Sequence, residues 1–404
     1  MTKSQPISVI VLPSWYPPKG GGFFREHSQA IREAGVNVHV LAAVETGVRN
    51  DLRNFLQPVD QQAKDEEAVD LPETIRMVRR IPLMNRLNTN RWVKSLQEMV
   101  ETHISRFGKP DLFQVHSSMW AGLAAEGIAR KLQIPYVLTE HRGRFTGIGK
   151  QADNLIKSWH LPLLGKGFRH ASKIVTVSKA AGNRILQIYP EAASKMSVIP
   201  NMTDTAFFSP AKEPSGDQYQ FSGSRPFRFL CVTSLEEIKG IDILLTAFAG
   251  LNRKHDIDAE LVIVGDGPLK KQLQRQCHGL GLDGRVTFTG FVQKKDLLPY
   301  FQMADAFVLP SLFESFGIVI IEAMSCGLPV VASRCGGPEE IIGSHCGLLA
   351  EPGNAEALGV EMKNLVQQYK VYDSKCIRAF VLRNYSQQHI ANEYVELYKQ
   401  IIDQ

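Results

Sequence analysis

The pattern that most restricts this chain is an alternation of short apolar runs with helix-length segments, which breaks near the middle and then starts again. Ile7–Leu12 is a β-branched run that stops at Pro13, Phe23–Ala34 has helical spacing and ends at Gly35, and Val36–Ala43 is strand-like again. Pro110–Val115, Pro135–Thr139 and Lys173–Val177 continue the series, with helical segments at Trp120–Leu132 and Lys179–Ile188. Strands separated by helix-length segments make βαβ units, because a parallel partner is reached only by a long crossover. From Asn201 to Pro226 the chain turns rich in Pro, Ser, Gly and polar residues, the composition of a linker or exposed connection. Strands then recur at Phe227–Thr233, Glu260–Val264, Val286–Phe291, Ala306–Leu309 and Pro329–Ala332. Helices are expected from about Lys239, at Gly317–Cys326 and at Ala355–Tyr369, and Gln387–Asp403 closes the chain as an amphipathic helix. The expected fold class is α/β, with two doubly wound domains. Asp51–Asp70 is charged and weakly patterned and reads as a mobile loop. Ligands of open parallel sheets sit beyond the carboxyl ends of the strands. Two such domains facing each other would draw loops from both halves into one cleft.

Composition narrows the function. A chain of 404 residues is too long for one ordinary α/β core and fits two domains of roughly 150–200 residues. A net charge of +5 is far from a nucleic-acid-binding profile and suits an anionic small ligand or occasional contact with an anionic membrane. All six cysteines lie in the C-terminal half, with no C-x-x-C, which is the usage of inert thiols in a reducing compartment. Met1–Pro6 has no basic n-region and no stretch reaches the ~18–20 apolar residues of a spanning helix, so a cytoplasmic protein is expected.

Four segments carry chemistry. Gly20-Gly21-Gly22-Phe23-Phe24-Arg25-Glu26-His27 follows the first strand, so backbone and a helix N-terminus would approach an anion or an oxygen-rich sugar closely. It is neither G-x-G-x-x-G nor a Walker A loop, and a flexible glycine loop would look the same. His141, in Thr139-Glu140-His141-Arg142-Gly143-Arg144, stands at a strand's carboxyl end beside two arginines. A lone histidine is more often structural; this placement favours a ligand. Lys239, in Ser234-Leu235-Glu236-Glu237-Ile238-Lys239-Gly240, could neutralise a diphosphate as a point charge, though surface lysines are common. The most specific segment is PSLFESFGIVIIEAMSCGLPVVASRCGG, Pro310 to Gly337. There Phe316-Gly317-Ile318-Val319 should open a helix whose free amides suit phosphate oxygens. Glu314 before it could hold sugar hydroxyls and Glu322 on it could accept from ribose hydroxyls; an idle charge in the apolar stretch around Glu322 would be costly. As a hydrolase pair they fit poorly, since eight helical residues span ~12 Å against the ~5–9.5 Å of glycosidase carboxylates. Asp256-Ile257-Asp258 matches D-x-D but precedes a strand, so it reads as chance.

Together, Glu314-x7-Glu322 with its flanks, VIPN at Val198–Asn201 with Phe208-x-Pro210, VGDGP at Val264–Pro268, TGF at Thr289–Phe291 and PSWYP at Pro13–Pro17 resemble glycosyltransferase family 4, over nearly the whole chain. The resemblance implies retaining transfer on a GT-B fold, two Rossmann-like domains with parallel sheets facing an interdomain cleft. It places an acceptor-side domain at 1–205 and a nucleotide-sugar-binding domain at 206–384, with 385–404 as a helix crossing back onto the first. It implies that His141 contacts the donor sugar's hydroxyls and that Lys239 binds the diphosphate. The amides of Phe316, Gly317, Ile318 and Val319 would cradle the phosphates, with Glu314 on the sugar and Glu322 on the ribose. The base would lie near Gly265 and Phe291, and Gly21 and Gly22 would line the donor or acceptor side. The family is generally metal-independent and uses no cofactor beyond its substrate, a nucleotide-diphosphate sugar such as a UDP- or GDP-sugar. One departure stands out: the family's usual G-R-x4-K-G has Thr233 and Ser234 in place of Gly and Arg. Arg142, Arg144, Arg25 or Arg334 are the candidates to replace that cation. A nucleotide-sugar epimerase on the same fold and a non-catalytic sugar-nucleotide-binding module are the competing classes.

Arg76–Lys94 holds six basic residues and no acidic one, mixed with apolar side chains and Trp92. It would suit a solvated basic face, or peripheral contact with the inner face of a membrane carrying a lipid-linked or glycan acceptor for cell-envelope polysaccharide synthesis. No nucleic-acid partner is expected.

Overall fold

The structure is a computed structural model that describes residues 6–18, 20–46, 59–62, 71–141, 156–211, 225–255 and 257–403. The chain divides into two compact units, Met1–Pro200 with Ile390–Gln404, and Asn201–His389.

The first unit is built on the strands β1 (Ser8–Pro13), β2 (Asn37–Thr46), β3 (Val59–Gln62), β4 (Glu73–Arg79), β5 (Leu112–His116), β6 (Tyr136–Glu140), β7 (Lys173–Thr176) and β8 (Met196–Val198). They form one sheet in the order β3-β4-β2-β1-β5-β6-β7-β8, parallel except for β3, which pairs antiparallel with β4. β1 sits between β2 and β5, so the chain winds outward in both directions from it. Val9, Ile10, Val11 and Leu12 are each at most 2% exposed, as a central strand covered on both faces requires. The covering helices are α1 (Gly22–Glu33), α2 (Asn85–Phe107), α3 (Leu123–Leu132), α4 (Leu161–His170) and α5 (Lys179–Ile188). In α2, Trp92, Leu96, Met99 and Val100 recur at helical spacing and all are buried, so one stripe of the helix meets the sheet.

The second unit repeats the plan with β9 (Phe227–Val232), β10 (Ala259–Val264), β11 (Val286–Gly290), β12 (Ala306–Leu309), β13 (Val330–Ser333) and β14 (Gly347–Ala350). Their order is β11-β10-β9-β12-β13-β14, all parallel. Its helices are α6 (Ile241–His255), α7 (Lys270–Gly279), α8 (Leu298–Met303), α9 (Ile318–Ser325), α10 (Pro338–Ile341), α11 (Ala355–Gln367) and α12 (Ser374–Tyr385). α9 is apolar nearly all round, and Ile320, Ile321, Ala323 and Met324 are at 0% exposure, so it is a core helix.

A last helix, α13 (Gln387–Ile402), carries Tyr394 and Tyr398 into the first unit. Tyr398 Oη donates to Gln114 Oε1 at 2.8 Å, Gln114 Nε2 donates to Thr139 Oγ1 at 2.9 Å, and Tyr394 Oη lies 3.3 Å from the same Thr139 hydroxyl. These groups are buried, so each needs the others.

Two expectations change here. The loop expected over Asp51–Asp70 includes strand β3, and its remaining residues lie outside those described. Arg76–Lys94 is no uniform basic face: it runs from β4 through a turn into α2, and Arg76 donates to Ser95 O at 3.3 Å and pairs with Glu98 at 3.4 Å. No helix among the described residues is long and apolar enough to cross a membrane. All six cysteines are free, five of them buried, and burial pushes the Cys231, Cys326 and Cys335 thiols up to about 12, out of nucleophilic range.

Candidate active site

At the carboxyl end of the second sheet, three loops are locked together by backbone. Gly265 has φ +142, and a Cβ there would stand 1.8 Å from Thr233 O; one on Gly267 would stand 2.5 Å from Leu235 O. The loops are stitched by Thr233 N to Val264 O (3.0 Å), Leu235 N to Asp266 O (3.0 Å) and Gly265 N to Gly290 O (2.9 Å). Ser234 is thus half-buried in backbone that lies on the Gly265–Gly267 turn. Phe291, just past β11, is 75% exposed, an aromatic face with no protein cover.

Lys239 ends the short turn Glu237–Lys239, which Gly240 closes at φ +63 against Pro310 O. Leu312 N donates to Ile238 O at 2.8 Å, which joins this turn to the loop after β12. The result is a direct ion pair between Lys239 Nζ and Glu314 Oε1, which also accepts from Ser311 Oγ at 3.0 Å. Glu314 is in turn fixed by backbone: its carbonyl accepts from Gly337 N at 2.9 Å, and a Cβ on Gly337 would stand 2.3 Å from Phe316 Cα. Gly317 then takes φ +100 and starts α9 with no side-chain cap, so the first-turn amides of Ile318 and Val319 have no partner within the helix. Phe316 is buried under this turn. Glu322, 7% exposed on the same helix, faces Lys294 at 3.8 Å, and Lys294 also lies 5.7 Å from the Phe208 ring centre.

In the first unit, Gly21 caps α1 at φ +79, where a Cβ would stand 2.7 Å from Trp15 O, and Gly22 opens the helix. The next residues build an aromatic shelf under His141, which follows β6. Phe23 and Phe24 lie 5.0 and 5.2 Å from its ring. His116, at the end of β5, places Nδ1 3.0 Å from His141 Nε2 and stacks on Phe24 at 4.7 Å. Behind it stands His27, edge-on to His116 at 4.8 Å. Burial pushes the His27 ring down to about 3 and the His116 ring well below its usual value, so both are neutral near pH 7. Neighbouring Glu140 is 1% exposed and accepts from Ser118 N at 2.9 Å and from the hydroxyls of Ser117 and Ser118 at 3.0 and 2.7 Å.

Of the expected site residues, the second unit groups Ser234 with Gly265, and Lys239 with Glu314, Phe316, Gly317, Ile318 and Val319, with Glu322 along the same helix. The first unit groups Gly21, Gly22 and His141. Of the substitute cations, Arg25 is committed to Glu73 at 2.7 Å, Arg334 is exposed beyond β13, and Arg142 and Arg144 lie outside the described residues. Asp258 of the D-x-D match pairs with Arg285, and Asp256 is outside the described residues. Among the described residues no His, Cys, Asp and Glu gather as a metal site. Sequence reasoning passed over His116, Ser311 and Lys294. His116 alone had a signal, since it ends β5 as His141 follows β6.

Two Rossmann-like units, each on a largely parallel sheet, define the GT-B class of fold. Residues 22–207 match the model of Glycosyltransferase Family 4, and residues 217–378 match that of Glycosyl transferases group 1. The chain belongs to the family 4 glycosyltransferases. It is 26% identical over 405 residues to an uncharacterized glycosyltransferase of Methanocaldococcus jannaschii, covering 96% of this chain and 97% of that protein. Among solved structures, sucrose-phosphate synthase from Thermosynechococcus elongatus matches with a TM-score of 0.76 at 21% identity, over 98% of this chain and 99% of that one. Anabaena HepE in complex with UDP-glucose matches with a TM-score of 0.70 at 21% identity, over 97% and 99%. These structural likenesses are likenesses of fold.

Proposed function

We propose that the chain transfers a hexosyl group from a nucleotide-diphosphate sugar, a UDP- or GDP-sugar, to an acceptor hydroxyl, with retention and without a metal ion. The observation that carries this reading is the convergence of Lys239, Glu314 and the first turn of α9 at one mouth of the second unit. In this reading the α9 amides and Lys239 take phosphate oxygens and Glu314 takes sugar hydroxyls, and His141 is the first unit's own candidate for a sugar hydroxyl. Glu322 takes the ribose, while Gly265 lets the base approach the backbone beside Phe291. In the transfer, the acceptor oxygen bonds to the anomeric carbon as the bond to the diphosphate oxygen breaks. The departing oxygen takes the acceptor's proton, so no protein nucleophile is required. Charge grows on the diphosphate, and Lys239 and the amides stabilise it there. The complex of HepE with UDP-glucose supports a nucleotide-sugar donor on this fold.

The acceptor is a glycan or lipid-linked precursor of a cell-envelope polysaccharide, met by a cytoplasmic enzyme at the membrane's inner face. Leu83, fully exposed, and the exposed Met84 and Leu87 stand out of the turn and the start of α2 beside Arg80 and Arg86, an apolar tip with basic flanks. Binding to vesicles that is indifferent to their anionic lipid content would remove the membrane part of this reading.

The deciding experiment is a thermal-shift panel of nucleotides and nucleotide sugars with and without a chelator, followed by NMR of the product's anomeric configuration. A cognate donor at a hundredfold excess over its Kd adds about 2.7 kcal/mol of stability. One nucleotide diphosphate should stabilise selectively whether or not metal is present, and the glycoside should keep the donor's configuration. Silence across the panel from folded protein would sink the reading, and an inverted product would sink its mechanism.

A further inference from the structure

All four tryptophans of the chain line one cavity in the first unit. Trp15 follows β1, Trp92 lies in α2, Trp120 follows β5 and Trp159 precedes α4, and the space between them is about 500 Å³. That is the scale of a small-molecule site, roughly 300–1,000 Å³. The cavity opens where the sheet order reverses about β1, the crevice in which doubly wound sheets take ligands. Its walls are held rigidly. Trp92 is 2% exposed and donates Nε1–H to Ala43 O at 3.0 Å. Trp120 and Trp159 stack at 5.8 Å with 16° between their planes, and the Arg86 guanidinium sits 5.4 Å from the Trp159 ring centre. Asn88 clamps Ile81 through two bonds of 2.8 and 2.7 Å, and Arg80 Nη2 donates to Asn85 Oδ1 at 2.9 Å, which holds the basic rim in place. Glu45 and Lys157 complete that rim.

Flat apolar walls with a rim of carboxylate, amide and cationic groups match one ligand class. A pyranose presents C–H faces that indoles cover and an edge of hydroxyls that both donate and accept. A hydrocarbon chain would desolvate Glu45, Arg80 and Lys157 without pairing them, at a cost of some kcal/mol each. We infer that this cavity holds a pyranose of the acceptor, so that the four tryptophans set acceptor choice; the inference rests on the transferase reading above.

Because every tryptophan borders the cavity, intrinsic tryptophan fluorescence of the full chain reports on it directly. The probes are the methyl pyranosides of glucose, galactose, mannose and N-acetylglucosamine. At least one should shift the emission saturably, and Trp159→Ala and Trp120→Ala should each weaken that binding about tenfold or more at an unchanged melting temperature. In turnover, the same variants should raise the acceptor KM by a similar factor while kcat and the donor KM hold. Emission indifferent to the whole panel, or both variants binding as the parent does, overturns the inference. A saccharide response in a protein that turns over no nucleotide sugar would remove the transferase reading and keep the cavity; transfer with an unchanged acceptor KM in both variants would do the reverse.

Discussion

In the second unit the mouth of the sheet is made of backbone. Gly265, Gly267 and Gly337 sit where a Cβ would stand 1.8–2.5 Å from main-chain atoms, and what faces outward is amides, one lysine and one carboxylate. In the first unit the equivalent end is made of side chains: His141 on His116 and Phe24, with four indoles around a cavity. On the proposed reading, a backbone cradle suits what is constant among donors, the diphosphate and the sugar's polar edge. A side-chain cavity recognises shape, and can be re-cut by single substitutions without touching the fold. The contrast teaches where change is tolerated, and it can be broken in three places.

The largest effect belongs to Lys239. If the second mouth works by charge on a backbone cradle, Lys239→Ala should lower kcat by about 10²–10³, as loss of one preorganised transition-state contact does. It also leaves Glu314, which is 15% exposed, without its ammonium partner. Steady-state kinetics with the cognate nucleotide sugar measure this. A variant with parental kcat would mean that the diphosphate is held elsewhere, and that the Thr233-Ser234 departure marks a different donor geometry.

Next come the glycines. Gly265→Ala should destabilise the protein by about 2–3 kcal/mol, through overpacking against Thr233 O and a backbone angle that L residues rarely adopt. In the first unit, Gly22→Ala meets nothing within 4 Å and should change stability by less than about 0.5 kcal/mol. Urea denaturation of both variants tests the comparison. Equal costs would show that the second mouth is not more tightly built than the first.

The same contrast explains what could be read from sequence. A backbone-built site must write its glycines and its helix start in one stretch, so Glu314 to Glu322 and Gly265–Gly267 stand out as motifs. A site built of side chains gathers residues from distant segments. His116 bonds a histidine 25 residues away, and the tryptophans come from four separate segments of the chain, so no local pattern announces either. The alternation of strands and helices was legible because buried parallel strands are continuous apolar runs. The edge of the first sheet was not. β3 is four residues, Val-Asp-Gln-Gln, without apolar periodicity, and β4 is largely half-buried and basic, so Arg76–Lys94 read as charge and hid a strand end and the start of a 23-residue helix.

The remaining test lies in the first unit's histidines, where the effect is spread over several pH units. His27 is 5% exposed, and neither ring nitrogen has a hydrogen-bond partner among the described residues; its ring meets Tyr394 of α13 edge-on at 4.4 Å. Burial, and then the proximity of His141, pushes its pKa down to about 3. The folded value lies below the unfolded one of about 6.5, so below that pH the unfolded chain takes up a proton that the folded chain refuses. The stability from His27 is therefore present above about pH 6.5 and lost as pH falls toward 3, at about 1 kcal/mol per pH unit. His27→Phe keeps a ring in the same place and removes the titration. Unfolding free energies from urea titrations between pH 7 and 4 should fall less steeply in the variant by about that amount, with a residual slope to which His116, also buried and neutral, contributes. Parallel slopes would mean that His27 is not held neutral, and that the side-chain mouth is wetter than its packing implies.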